Sequence, residues 1–138
     1  MRQMATALDI DTLAKADTMD RRVAVYGGLP VKMLRALLKR GDITIADLAR
    51  VIAPRRTLER RLKDGDRLNR EESDRLARFL PVLETCEHIF GGTIKAMHWL
   101  RRPKRAFGGV PPLDLLATST GAEEVNELLQ QSRHGMLA

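Results

Sequence analysis

The chain has 138 residues, 43% of them hydrophobic but only 4% aromatic, and a formal charge of +6. That length holds one domain or two very small ones, with a core of Leu, Val, Ile, Ala and Met. A single cysteine, Cys86, excludes an internal disulfide framework and a thiolate metal cage, and no apolar run reads as a membrane span or a signal peptide.

The basic balance favours a polyanionic partner, nucleic acid being the commonest. The lone cysteine fits a reducing compartment, so a cytoplasmic protein is expected. Strand signals are nearly absent and helical spacing runs almost throughout, which predicts an all-α fold. Residues 1–30 are the weakest part. "TALDIDTLAKAD" suits a short helix through Leu8 and Leu13, and "YGGLP" breaks it. The first 25 or so residues read as a mobile arm or a weakly docked helix.

After Pro30 the pattern sharpens. "VKMLRALLKRG" places Val31, Leu34, Leu37 and Leu38 on one stripe and stops at Gly41. "TIADLARVI" follows, with Thr44 as N-cap, Asp47 completing a capping box, and Ile45, Leu48, Ala49 and Ile52 facing inward. "AP" stops that helix. A basic helix then runs to Gly65. Asn69, with Glu71 and Glu72, opens a longer helix carrying Leu76, Phe79, Leu80, Leu83 and Phe90 on one side. Pro81 lies inside it and should kink or split it. Gly91 and Gly92 end it and mark the expected boundary between a first helical domain, 31–92, and a second, 93–138.

In that second part Thr93 can cap "IKAMHWL", burying Ile94, Met97 and either Trp99 or Leu100. "RRPKRAFGGVPP" is a loop, in which Phe107 packs into the core and Gly108 and Gly109 take conformations other residues resist. "PLDLLAT" is a short helix opened by proline. "GAEEVNELLQQ" is a final helix with Val125, Leu128 and Leu129 inward, and "SRHGMLA" is a tail.

The basic helix, "PRRTLERRLKDG", carries the functional reading. Wound at about 100° per residue, Leu58 and Leu62 lie about 40° apart and mark the buried side. Arg56, Arg60 and Lys63 cluster opposite, flanked by Thr57 on one side and by Arg55 with Glu59 on the other. A merely solvated helix intersperses both signs; this one puts almost one sign outward. It follows a capped helix after a very short turn, the plan of a helix-turn-helix. Arg56 and Arg60 suit base edges, because a guanidinium bridges guanine O6 and N7. Thr44 and Lys63 suit phosphates. Against this, Ala53 and Pro54 make the turn about a residue tighter than the common repressor pattern.

Nothing suggests an enzyme. His88, His98 and His134 lack metal-ligand spacing, and no nucleophile has an identifiable base. No cofactor is expected. Arg75 and Arg78 either extend the basic face or are only solvated.

"VIAPRRTLERRLKDGDRLNREESDRLARFLPVLE", followed by "WLRRPKRAFGGVPPLDLLATSTGAEEVNELLQQSRHGM", resembles the Xre/MbcA/ParS-like antitoxins, nearest the antitoxins of RES–Xre toxin–antitoxin pairs. The likeness covers roughly residues 31 to 136 and fails over residues 1–30, a variable N-terminal arm in that family. Lys104 stands where the family commonly has asparagine. The resemblance implies a homodimer without catalysis of its own, which neutralises a RES-type, NAD-depleting toxin and represses the shared promoter at operator DNA. It implies that residues 93–138 bind the toxin, through Trp99, Lys104, Phe107, Gly108, Arg133, His134, Gly135 and Met136, and that the terminal segment obstructs the toxin's active-site opening. The alternative is a stand-alone helix-turn-helix repressor whose C-terminal domain dimerises or senses a ligand.

Overall fold

The protein is described by a computed structural model over residues 9–133. Among them are nine α-helices and one 3-10 turn, with two isolated β-bridges and no strand. In chain order the helices are α1 (Ile10–Lys15), α2 (Thr18–Gly27), α3 (Lys32–Leu38), α4 (Ile45–Val51), α5 (Arg55–Asp64), α6 (Arg70–Phe90), α7 (Thr93–Arg101), α8 (Pro112–Leu115) and α9 (Ser119–Arg133), the 3-10 turn (Arg105–Phe107) lying between α7 and α8. The fold is all-α.

Helix α6 is the central post. α1, α2, α7 and α9 all pack on it. Its capping box is complete: the Asn69 side chain accepts from the Glu72 backbone and the Glu72 carboxylate accepts from the Asn69 backbone. Each bond satisfies an N–H that a helix start otherwise leaves open. Pro81 neither splits nor ends the helix, which runs unbroken from Arg70 to Phe90, so the expected break does not occur at the level of the element. Phe79, Leu80, Val82 and Leu83 are all buried around it. That packing offsets an interior proline's cost of about 3 kcal/mol.

The reading of the first 25 residues as a mobile arm or weakly docked helix is corrected from Asp9 onward. Asp9 caps α1 and Asp17 caps α2, each accepting from a backbone N–H three residues ahead. Leu13 is fully buried, and Ile10, Ala14 and Val25 join the core. Arg40 ties α1 down further through Asp11, at 2.9 Å. Leu8 lies outside the described residues.

Helix α7 is turned from its expected face. Ile94, expected inside, is 65% exposed, while Ala96, Met97 and Leu100 are fully buried. Ile94 lies about 120° from Leu100 around the helix, too far to share a face that Ala96 widens on the other side. The N-cap is Gly92 rather than Thr93, whose hydroxyl donates instead to the Glu87 carboxylate of α6. Trp99 is half-buried.

One core spans the molecule. Leu100, Leu113, Leu116, Val125 and Leu129 belong to the same buried cluster as Leu34, Leu48 and Leu76. α8 packs on α4 and α9 on α6, so the apolar packing continues across Gly91 and Gly92. Gly121, in α9, makes one of these contacts possible: a Cβ there would meet the Leu115 carbonyl oxygen at 2.0 Å.

Candidate nucleic-acid interface and partner-binding face

The candidate nucleic-acid interface is the pair α4 and α5. Thr44 and Asp47 form the expected capping box at the start of α4. The Thr44 hydroxyl accepts from the Asp47 N–H at 3.2 Å and donates to the Asp47 carboxylate at 3.0 Å. Its proton is committed to Asp47, so this hydroxyl is not free to donate to a phosphate. The chain leaves α4 through buried Ile52 and Ala53, and Pro54 is the N-cap of α5.

Along α5, Leu58 is fully buried and Leu62 half-buried, and these set the roll of the helix. Arg55, Arg56, Glu59, Arg60 and Lys63 are exposed, and Thr57 is half-buried. The exposed Arg56, Arg60 and Lys63 fall within about 60° of one another on the outward face, with Arg55 and Glu59 on one flank and Thr57 on the other. Arg55 and Glu59 are 3.4 Å apart, an exposed pair of little energetic weight. Among the described residues, Arg56, Arg60 and Lys63 have no carboxylate partner.

The neighbouring arginines are used differently. Arg61 turns inward, and its guanidinium meets both carboxylate oxygens of Glu72 at 3.1 and 3.2 Å. Arg35 donates to the Leu62 carbonyl, fixing the far end of α5. Arg75 donates to the Ile52 carbonyl at 3.1 Å and to Glu71. Arg78 donates to the Ala117 carbonyl at 3.1 Å and to Asp74. Arg75 and Arg78 thus brace the scaffold rather than lie free on the basic face.

Sequence reasoning passed over the residues that join the two halves. Arg101, at the end of α7, donates to both Asp47 carboxylate oxygens, at 2.9 and 2.6 Å, and to the Asp42 side chain and carbonyl. Burial alone would raise the Asp47 carboxyl, but the Arg101 guanidinium and the Thr44 donors outweigh it and hold the group below its ordinary value. Arg50, on α4, meets Asp114, on α8, with a two-pronged contact at 2.6 and 2.9 Å. Helix α4 is therefore clamped by side chains from beyond Gly92. The partners are 54 and 64 residues apart in sequence, and no local spacing signals such a pair.

Beyond α7, Trp99 stacks on Phe90 with ring centroids 5.3 Å apart, and the Lys104 ammonium lies 4.8 Å from the Trp99 ring centroid. Burial, then Arg102, lowers the Lys104 pKa. Lys104 to Val110 form a closed turn, with Gly109 N–H bonded to the Lys104 carbonyl at 2.9 Å. Gly108 sits in its left-handed corner at φ +65°, where a side chain would be strained. Phe107 is half-buried. With Leu128, Glu124 and Glu127 it lines a shallow cleft of about 230 Å³. Arg133 is exposed at the end of α9, and His134, Gly135 and Met136 lie outside the described residues.

Among the described residues, no cluster of His, Cys, Asp and Glu is placed to hold a metal, and no helix is long and apolar enough to cross a membrane. Cys86 is buried, and burial pushes its thiol up to about 12, which leaves no thiolate for chemistry near neutral pH.

Two family models match the chain in succession. Residues 20–80 match the model of the antitoxin Xre-like helix-turn-helix domain, and residues 86–135 match that of the antitoxin Xre/MbcA/ParS C-terminal toxin-binding domain. The chain is 34% identical to Antitoxin Xre of Pseudomonas putida, over 96% of this chain and 82% of the relative. It is 34% identical to Antitoxin Xre of Yersinia enterocolitica, over 80% and 76%. It is 30% identical to the Prs ADP-ribosylating antitoxin of a Sphingobium species, over 83% and 86%. The chain belongs to the Xre/MbcA/ParS antitoxin family.

Proposed function

We propose that this antitoxin neutralises a RES-type, NAD-depleting toxin and, as a cytoplasmic homodimer, represses its own operon. The observation that carries the DNA half is the sorting of arginines around α5. Arg61, Arg75 and Arg78 are bound into the scaffold, while Arg56 and Arg60 are exposed on one face with Lys63. A helix that keeps its cations uncommitted on one face, behind a rigidly capped partner helix, is suited to the major groove. Arg56 and Arg60 read bases, Lys63 and Arg55 meet phosphates, and Thr57 and Glu59 border the contact.

The toxin half rests on the match of residues 86–135 to a toxin-binding domain. The partner contacts run through Trp99, Lys104, Phe107 and Gly108 and continue to Arg133, His134, Gly135 and Met136. A toxin that consumes NAD is consistent with a relative named as an ADP-ribosylating antitoxin, since ADP-ribosylation breaks NAD.

Co-expression with the toxin encoded beside it tests the first activity, through growth and cellular NAD. Footprinting of the operon's promoter with purified antitoxin tests the second. NAD loss that the antitoxin does not prevent overturns the RES assignment, and absence of a footprint at physiological salt overturns autorepression.

A further inference from the structure

Helix α2 carries an apolar stripe that nothing in the described chain covers. Met19, Val23 and Tyr26 are 57%, 43% and 61% exposed. Their spacing places them within about 60° of one another around the helix, in a row about 10 Å long. Val25, on the opposite side, is buried. α2 therefore has an apolar residue docking it on α6 and a second apolar face turned outward. The stripe lies outside residues 86–135, so toxin binding by that domain does not account for it. Two of its three side chains, Met19 and Val23, carry no donor for a phosphate, and only the Tyr26 hydroxyl could offer one.

The charges at its two ends are opposite. Asp17 and Asp20 stand at the start of α2. Arg70, the first residue of α6, lies over the Tyr26 ring at 4.4 Å from its centroid. Among the described residues none of these three is in a salt bridge. An antiparallel pairing of two α2 helices about a two-fold axis sets the acidic end of one against the basic end of the other, with Met19 against Tyr26 and Val23 near the axis. The same arrangement opposes the two helix dipoles. Arg22, beside the stripe, lines with Tyr26, Arg21 and Val25 a cavity of about 410 Å³; its long stem can lie along the contact with the guanidinium in water.

We infer that the Met19–Val23–Tyr26 face of α2 is the homodimer interface, its occupant a second copy of this chain. This rests on the homodimer reading above and specifies its surface. The surface also fits the DNA-binding role. The chain leaving α2 is laced to the segment leaving α5: Leu68 N–H bonds the Leu29 carbonyl at 2.8 Å, Val31 N–H the Asp66 carbonyl at 3.0 Å, and Arg67 the Gly28 carbonyl at 2.8 Å. A symmetric contact through α2 thus sets the spacing of the two basic helices, on which half-site recognition depends.

Sedimentation equilibrium of the full-length protein tests the inference. Wild type should be dimeric at micromolar concentration. Val23→Asp, which buries two unpaired carboxylates at the axis, should raise the dimer dissociation constant by about 100-fold or more, with an unchanged far-ultraviolet circular-dichroism spectrum at 25 °C. Asp20→Arg alone should weaken the dimer, and adding Arg70→Asp should restore affinity to within about tenfold of wild type. A dimeric wild type with Val23→Asp equally dimeric overturns this surface and leaves the homodimer standing. A monomeric wild type overturns both. If Val23→Asp disturbs the spectrum, the charge-swapped pair decides: failure of the double variant to recover overturns the surface, and recovery supports it.

Discussion

The Arg101 guanidinium, on the helix that follows Gly92, grips both carboxylate oxygens of Asp47, on the first helix of the helix-turn-helix, at 2.9 and 2.6 Å. Asp47 is nearly buried and also caps its own helix, so this one carboxylate ties local structure to the second half of the chain. Replacing Arg101 by Ala leaves that carboxylate with only its Thr44 donors. The expected loss of stability in urea is about 1–3 kcal/mol, below the usual figure for a broken buried pair because Arg101 is partly exposed. Arg101→Lys should recover only part of it, since an ammonium cannot span both oxygens. An unchanged urea midpoint in Arg101→Ala would show the clamp to be idle.

The same pair sets a pH dependence. The Asp47 pKa is lower in the folded protein than its ordinary 3.8. The unfolded chain therefore binds the proton more readily, and the stabilisation is fully present above about pH 4 to 5. It is lost as pH falls below 3.8 and through the lower folded value. The difference in unfolding free energy between wild type and Asp47→Asn should be flat from pH 5 to 7 and shrink below pH 4. A difference that grows on acidification contradicts this sign.

Arg56→Ala with Arg60→Ala should abolish measurable operator binding at fixed salt, each lost base contact costing about 1–3 kcal/mol, without moving the melting temperature. Arg61→Ala is the contrasting variant. It strips Glu72 of its charged partner, leaving only the Asn69 backbone donor, and should cost about 1–3 kcal/mol of stability, with operator affinity near wild type under conditions where the protein stays folded. Reversed behaviour of the two, measured by anisotropy and thermal melts, would reassign the reading face.

Gly121→Ala opposes two effects. Helix propensity alone favours alanine by about 1 kcal/mol. The added Cβ would meet the Leu115 carbonyl oxygen at 2.0 Å, and that oxygen is backbone. The clash should win, with a net loss of at least about 1–3 kcal/mol, the cost typical of overpacking. A variant as stable as wild type would mean that α8 and α9 separate freely.

Deleting residues 133–138 should impair toxin neutralisation and leave operator binding by the antitoxin alone nearly intact. Leu129 is the last fully buried side chain among the described residues, so little stability should be lost with the tail. Cells co-expressing the toxin and the truncated antitoxin report the outcome through growth and NAD. Normal growth with normal NAD would move the neutralising surface upstream, to the stretch from Trp99 to Leu116.

Local chemistry in the sequence determined much of this protein. The capping boxes at Thr44 and Asn69, the Pro112 helix start and the buried Leu58 all follow from interactions within a few residues. So does the outward basic face, because a helix of fixed pitch sorts its residues by sequence spacing alone. Tertiary structure decided the rest. It docked α1 and α2, whose weak local signal Leu13 overrides by complete burial. It kept α6 continuous through Pro81 and rolled α7 so that Ile94 faces out. It also chose which arginines are free: Arg61, Arg75, Arg78 and Arg101 look in sequence like Arg56 and Arg60, yet carbonyls and carboxylates from elsewhere in the fold claim them. A guanidinium's role depends on which acceptors the fold brings within hydrogen-bonding distance, and for Arg101 the Asp47 carboxylate comes from 54 residues away.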